Sequence, residues 1–274
     1  MILSVEADEK TGKTTFAYSA PTPIVGFGFD IGAKRAIYGM KYKELFEGLK
    51  IEIIPYEKNT VPGKEKWTGN DITIFELPRP IQLTQEKLLG FMEQWGYFIN
   101  PFNDALMDEG VKTVVIDTMT LARRIKCDAY LQELQEGPRP RKQLLQIEYG
   151  HPNDSIRNLY DLAQGMGKNL IATHHLTDEY KSMPTGSNSE ITSVATGKRI
   201  LEGLNGTYRH VDVGLRLEKD NKGGVMGKII ECGYNIGLTG TPISNPTWNS
   251  VVRTISMSLE NRIQFEERNE LRTV

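Results

Sequence analysis

The stretch that decides the fold lies near the start of the chain and reads Ala7-Asp8-Glu9-Lys10-Thr11-Gly12-Lys13-Thr14-Thr15. The apolar segment before it predicts a strand, and residues 16–20 indicate one or two helical turns. A strand, a loop and a helix in this order form the context in which a loop binds phosphate groups. We therefore predict that the backbone N–H groups of residues 7–15 converge on a polyphosphate, supported by the positive end of the helix dipole.

Two side chains of this loop have predicted roles. Lys13 would reach the β- and γ-phosphates of a nucleotide, and the Thr14 hydroxyl would join the shell of a Mg²⁺ ion. The loop follows the pattern G-x-x-x-x-G-K-[ST] except that Ala7 replaces the first glycine. A methyl group at this position penalises a backbone with positive φ. The alternative is a surface loop rich in Lys and Thr that opens an ordinary helix.

Composition narrows the class of protein. The chain has 274 residues, of which 39% are hydrophobic and 25% charged, as expected for a globular protein with one large or two small domains. No apolar run is long enough to cross a bilayer and no signal peptide is evident, so we expect a cytoplasmic protein without membrane association. Cys127 and Cys232 lack metal-binding spacing and are predicted to be buried thiols. A net charge of −2 excludes a globally basic nucleic-acid-binding protein but permits local basic patches.

Two predicted strands end in an aspartate. The strand over residues 24–29 ends at Asp30, and the β-branched run over residues 114–116 ends at Asp117. Because ligands of parallel α/β sheets bind at the carboxyl ends of the strands, Asp117 would hold the Mg²⁺ shell opposite Thr14, and Asp30 would polarise the attacking water. The alternatives are an N-cap or loop role for Asp30 and an ordinary strand end for Asp117.

A further predicted strand, over residues 169–173, ends in two histidines. Adjacent residues of a strand point to opposite faces, so only one of them can face the phosphates. We predict that His175, at the exit of the strand, senses the γ-phosphate. A buried core histidine is the alternative for either His174 or His175.

The middle of the chain is less informative. Residues 51–54 and 72–75 read as strands of a β insertion near residues 50–80 that carries Trp67. A helix is predicted from Thr84 to Phe98, with Thr84 as N-cap, and a second helical piece over residues 103–109.

Two segments are predicted to contact nucleic acid. Residues 122–142 contain six basic and three acidic residues, a local charge of +3, and residues 177–198 have the composition of a loop that is disordered until it meets a ligand. A solvated helix face and a linker are the alternative for the basic segment. The candidate DNA contacts are Arg123, Arg124, Arg139, Arg141, Lys142 and Lys181.

The last part of the chain is predicted to form a β-hairpin and a tail. Residues 211–218 and 228–232 read as two strands joined by a glycine-containing turn. Arg209, just before the hairpin, is either a finger that reaches a neighbouring subunit's phosphate or a surface arginine. The tail over residues 248–274 contains one charged helix.

The order of these motifs resembles the RecA-like ATPase core. More closely, it resembles the small phage-encoded RecA-like nucleotide-binding proteins, some of which promote single-strand annealing. The matching segments are residues 11–17 with their short helix, Phe29-Asp30 with Gly32, Glu148-Tyr149-Gly150 and residues 167–175. Two departures are Ala7 in place of glycine and Asp30 in place of the usual glutamate, and the shorter acid is expected to slow hydrolysis.

From the pattern and the resemblance, we expect a three-layer α/β fold with a mainly parallel central sheet and a C-terminal β-hairpin. A RecA-like ATPase domain would cover residues 1–240, followed by a tail over residues 241–274. The resemblance implies ATP and Mg²⁺ as cofactors, single-stranded DNA as a partner, a ring or filament of identical subunits, and the host cytoplasm if a phage encodes the protein.

These expectations favour an ATP-dependent protein that acts on single-stranded DNA in recombination or replication, by annealing or pairing strands. One alternative is a hexameric helicase motor, which strand-displacement assays would distinguish. Another is a nucleotide-dependent interaction protein without DNA affinity, which the acidic pI of 6.2 keeps open.

Overall fold

A mainly parallel sheet forms the centre of the protein. The computed structural model describes residues 1–30, 32–39, 43–58, 60–82, 87–138, 140–185, 190–221 and 223–268. The strands are β1 (Ile2–Ala7), β2 (Ile24–Gly28), β3 (Ile51–Pro55), β4 (Ile72–Glu76), β5 (Thr113–Asp117), β6 (Asn169–His174), β7 (Leu176–Thr185), β8 (Glu190–Leu201), β9 (Val213–Lys219), β10 (Val225–Cys232) and β11 (Pro242–Ser244). The helices are α1 (Lys13–Ala17), α2 (Ala33–Tyr38), α3 (Lys43–Phe46), α4 (Phe91–Met107), α5 (Met119–Glu136), α6 (Gly150–Gly165) and α7 (Trp248–Ser258).

Within the described residues, nine strands form one sheet in the order β11-β10-β9-β1-β6-β5-β2-β4-β3. The strands from β9 to β3 are parallel, whereas β10 and β11 are antiparallel to their neighbours. The adjacent strands β1, β6, β5 and β2 are those whose carboxyl ends lead into the phosphate loop, the histidines, Asp117 and Asp30. The topology therefore brings these four segments to one edge of the sheet.

Both faces of the sheet are covered, because alternate residues of each central strand enter two separate apolar cores. In β5, Val114 and Ile116 pack into the core with the aromatic residues of α4, while Val115 packs into the core with α1 and α7. A parallel sheet buried on both faces explains why these strands read as continuous apolar runs. The expected three-layer α/β fold is confirmed, as is the antiparallel hairpin of β9 and β10.

The strands near residues 50–80 differ from the prediction of a separate insertion. Strands β3 and β4 pair in parallel with each other, and β4 pairs in parallel with β2, so both extend the central sheet. Trp67 packs edge-on against Phe75 of β4 and donates its indole N–H to Asp108. The segment between the strands therefore contributes to the main core.

The predicted helix boundaries in the middle of the chain are also corrected. Residue 84 lies outside the described residues, and α4 begins at Phe91, where Gln132 Oε1 accepts hydrogen bonds from the Phe91 and Met92 amides. Residues 103–107 of the predicted second piece belong to this same helix, which continues through Pro101 and ends at Met107. Burial of an aromatic face offsets the hydrogen bond that proline removes from the helix.

The segment over residues 177–198 was expected to be a loop that is disordered until it meets a ligand, and for the described residues 177–185 and 190–198 this prediction is wrong. Strands β7 and β8 form an antiparallel hairpin, which we call the arm (residues 176–201, of which 186–189 lie outside the described part). The arm strands pair with each other in a sheet of their own.

The described elements that follow residue 240, β11 and α7, belong to the same fold. Strand β11 pairs with β10, and Trp248, Val251 and Ile255 of α7 are buried in the core beside α1. Both cysteines are buried, as predicted. Among the described helices, none combines the length and the apolar character that a bilayer crossing requires.

Candidate nucleotide-binding site

The loop after β1 has the backbone of a phosphate-binding loop. Ala7 is the last residue of β1, so its side chain occupies an extended strand position and carries no penalty for positive φ. Gly12 has φ +93° and precedes α1, which explains the glycine at this position. The Thr11 hydroxyl donates to the Asp8 carbonyl over 2.9 Å and closes the loop on itself. This hydrogen bond stabilises the turn of the loop.

Lys13 is buried beneath this loop, and its Nζ donates to the carbonyl oxygens of Ala7 and Asp8, both at 2.9 Å. Burial lowers the pKa of the Lys13 ammonium, while the negative charge of Asp117 opposes this shift. A buried ammonium whose acceptors are only carbonyls gains strongly from an anion. Lys13 is thus placed to bind phosphate.

Asp117 is fully buried at the end of β5 and accepts two hydroxyl hydrogen bonds. Thr14 donates to Oδ2 over 2.7 Å, and Thr173 donates to Oδ1 over 2.5 Å. Burial raises the pKa of the Asp117 carboxyl, and the two hydroxyl hydrogen bonds oppose the shift. A hydroxyl and a carboxylate side by side are hard oxygen donors, so this pair fits a Mg²⁺ ion.

A cavity of about 490 Å³ lies over the loop and brings most of the predicted residues together. It adjoins a second cavity of about 690 Å³, and both are lined by Glu9, Asp30 and His175. Asp30 is exposed to the cavities just beyond β2. The residues lining the first cavity are Glu9, Lys10, Thr11, Gly12, Lys13, Thr14, Thr15, Asp30, Gly32, Arg35, Ala36, Gly39, Asp117, Thr118 and His175.

The two histidines lie in different environments, His174 as the last residue of β6 and His175 just beyond it. His175 lines both cavities, whereas His174 is fully buried and its Nε2 lies 3.3 Å from the Tyr160 hydroxyl. Burial lowers the pKa of His174 to about 3, so its imidazole is neutral at physiological pH. His174 belongs to the core, and His175 is the histidine that can contact a phosphate.

The remaining predicted residues lie outside the loop cavity. Arg209 is exposed, in a 3₁₀ turn over residues 207–209, and does not line either of the two cavities described above. Arg124 pairs with Glu202 over 3.2 Å and lines the second cavity.

The other candidate DNA contacts are dispersed. Arg123 donates to Asn153, and Arg141 pairs with Glu148 over 2.7 Å. Lys142 is exposed in the connection after α5, and Lys181 is exposed on β7. Residue 139 lies outside the described part of the chain.

Among the residues at the site that were not assigned a role from the sequence, three make contacts that organise it. Thr173 holds Asp117, Arg199 of β8 contacts Asp8 of the loop, and Glu202 follows the arm at the second cavity. Thr173 lies in the run before the histidines, and a polar residue in a fully buried strand is a usable signal. No local sequence pattern indicates the roles of Arg199 and Glu202, because their partners Asp8 and Arg124 are distant in the sequence.

These features define the class of the protein. A phosphate loop between β1 and α1, a buried lysine and a Thr–Asp pair at the carboxyl edge of a parallel sheet are the parts of a P-loop nucleoside triphosphatase domain. Within this class, the chain belongs to a family of AAA domains, since the family model of that description matches residues 3–231. Comparison with curated proteins finds no match.

Proposed function

We propose that this protein binds ATP with Mg²⁺, hydrolyses it, and couples hydrolysis to single-stranded DNA in phage-type recombination or replication, by annealing or pairing strands. The observation that carries the proposal is the shared cavity of Lys13, Thr14, Asp30, Asp117 and His175. The proposal includes a RecA-like ring or filament of identical subunits in the cytoplasm. In such an assembly, Arg209 would act on a neighbour's nucleotide.

Each residue of the proposed site would have a separate role in ATP hydrolysis. Lys13 would give up its two carbonyl acceptors and neutralise phosphate charge, and Asp30 would orient the attacking water and accept its proton. His175 would donate to the γ-phosphate and report its presence to the arm, which begins at the next residue. Thr14 and Asp117 would hold Mg²⁺, which supplies charge stabilisation to the phosphates.

The DNA part of the proposal is supported by the arm. Tyr180 on β7 is 59% exposed and is followed by the exposed Lys181. An exposed aromatic ring can stack on a base, and an exposed lysine on the opposite face of the same strand can pair with phosphate, so we propose that each face of the arm offers one contact to single-stranded DNA. Arg141 and Lys142, in the connection after α5, are proposed as separate contacts with the DNA backbone.

The test is ATP hydrolysis by the purified protein with and without a single-stranded oligonucleotide, beside Lys13→Ala. We expect DNA to stimulate hydrolysis and Lys13→Ala to abolish it. Lys112→Ala is the matched control, because Lys112 is a half-exposed lysine that precedes β5 at the opposite edge of the sheet. Equal rates in wild type and Lys13→Ala would refute the ATPase assignment.

A binding assay separates the DNA function from the ATPase. We expect Tyr180→Ala and Lys181→Ala to weaken oligonucleotide binding at low salt while hydrolysis without DNA is unchanged. If the wild-type protein hydrolyses ATP but binds no oligonucleotide at low salt, the protein is a nucleotide-dependent interaction protein. Strand displacement with ATP in place of annealing would identify a helicase.

A further inference from the structure

Arg199 of β8 reaches across to the phosphate loop of the same chain. Its Nη2 lies 2.6 Å from Asp8 Oδ1, although 191 residues separate the two in the sequence. The same guanidinium contacts Asp178 Oδ1 at 3.1 Å and the Leu176 carbonyl at 3.0 Å. One side chain therefore joins both strands of the arm to the nucleotide site.

The backbone of Arg199 is held in place from the other side. Arg216 donates to the Arg199 carbonyl over 3.2 Å, and Arg216 itself is paired with Glu6, which is buried in β1 just before the loop. Tyr208 donates its hydroxyl to the same Glu6 carboxylate. The base of the arm is thus fastened to β1, which holds the Arg199 backbone next to the strand that leads into the loop.

The charges around Arg199 favour a change of partner. The second cavity is lined by four carboxylates, those of Asp8, Glu9, Asp30 and Glu202, and by two guanidinium groups. Arg124 pairs with Glu202, and Arg199 pairs with Asp8. The two cavities share Glu9, Asp30 and His175, and Arg199 lines the second one, so a terminal phosphate that extends from the loop towards these shared residues would approach Arg199.

We propose that Arg199 is a phosphate-binding residue supplied by the same chain, and that the terminal phosphate of a bound nucleoside triphosphate replaces Asp8 as its acceptor. A terminal phosphate offers more charge and more acceptor oxygens to the planar guanidinium than one carboxylate does. Because Arg199 is part of β8, the exchange transmits the presence of that phosphate to the arm. This inference rests on the proposed nucleotide function and names a further residue of the same site.

A simpler role for Arg199 would be to neutralise Asp8. The adjacent acids Asp8 and Glu9 would then repel the nucleotide less. The two roles make different predictions for Asp8→Asn. If Arg199 only neutralises Asp8, removing the acid makes the arginine dispensable. If Arg199 binds phosphate, the arginine is still needed after the acid is gone.

The experiment measures affinity for a non-hydrolysable ATP analogue and for ADP, both with Mg²⁺, in wild type, Arg199→Gln, Asp8→Asn and the double variant. We expect Arg199→Gln to lower the affinity for the triphosphate analogue about tenfold or more, because a charge-assisted hydrogen bond is lost. The affinity for ADP should fall less than about twofold. The loss of triphosphate affinity should persist in the double variant. Arg157→Gln is the matched control, because Arg157 is similarly exposed and pairs with one carboxylate, Asp154, on α6.

Two results would overturn the inference while the nucleotide function stands. One is equal triphosphate affinity in wild type and Arg199→Gln when Lys13→Ala no longer binds. The other is full recovery of triphosphate affinity in the double variant. If the wild-type protein binds neither nucleotide, the proposed function fails and the inference fails with it. Thermal melting of each variant confirms that it is folded.

Discussion

The Thr14 hydroxyl donates to Asp117 Oδ2 over 2.7 Å, which joins the first turn of α1 to the end of β5 across 103 residues of sequence. If this pair holds Mg²⁺, Thr14→Ala should reduce the Mg²⁺-dependent part of nucleotide affinity about tenfold or more. Titration of nucleotide with Mg²⁺ and with EDTA measures that part. Thr14→Ser keeps the hydroxyl and should behave as wild type. An equal loss in both variants would contradict the metal role.

The buried His174 makes stability depend on acid pH. Its folded pKa is about 3, against 6.5 when unfolded, so its contribution is fully present above pH 6.5 and is lost as pH falls from 6.5 towards 3. At pH 5, the loss is on the order of 2 kcal/mol. Urea unfolding at pH 7 and pH 5 measures it. In His174→Gln, the change between these two pH values should be smaller by that amount, and an unchanged difference would exclude His174 as the cause.

Tyr18 and Gly26 fit together beneath the loop with little space to spare. A Cβ on Gly26 would lie 2.2 Å from the Tyr18 hydroxyl oxygen, so Gly26→Ala should destabilise the fold by about 1–3 kcal/mol. The Tyr18 hydroxyl is buried without a hydrogen-bond partner in the described structure. Tyr18→Phe is therefore expected to be neutral or to stabilise by up to about 1 kcal/mol. Chemical denaturation checks both, and a large loss in Tyr18→Phe would reveal a partner for the hydroxyl.

Thr120 connects α5 to both strands at the base of the arm. Its buried hydroxyl accepts from the His175 amide over 3.0 Å and donates to the Glu202 carbonyl over 2.8 Å. Thr120→Val preserves the shape but leaves both backbone groups without this partner, and we expect faster proteolysis within residues 176–201. Thr120→Ser keeps the hydroxyl and should be cut at the wild-type rate. Identical cleavage of both variants would show that the hydroxyl does not anchor the arm.

The parts that could be predicted from sequence are those with a local cause. A fully buried parallel strand is a continuous apolar run, so β1, β5 and β6 were visible together with the polar residues at their ends. The phosphate loop could be recognised because the positive φ of Gly12 and the phosphate-binding side chain of Lys13 are both specified within a few residues of sequence. His175 could be distinguished from His174 because adjacent side chains of a strand point to opposite faces.

The arm could not be predicted, because the sequence signals for a strand depend on one buried face. Most described side chains of β7 and β8 are exposed, so the period-two pattern with one buried apolar face is missing. What holds the arm is pairing between its strands and contacts from Asp8, Thr120 and Arg216, all distant in sequence. The strands β3 and β4 were recognised, but their place in the central sheet depends on pairing with β2, which no local pattern specifies.

The hydrogen bonds of Lys13 to Ala7 and Asp8 also affect the enthalpy of nucleotide binding. The Lys13 ammonium must release these two carbonyls before it can bind phosphate. Phosphate binding at Lys13 therefore replaces existing polar contacts with new ones. The calorimetric enthalpy should therefore be smaller than a count of the new contacts suggests. The internal hydrogen bonds of Thr11 and Lys13 preorganise the loop, so little entropy is lost in shaping it around a ligand.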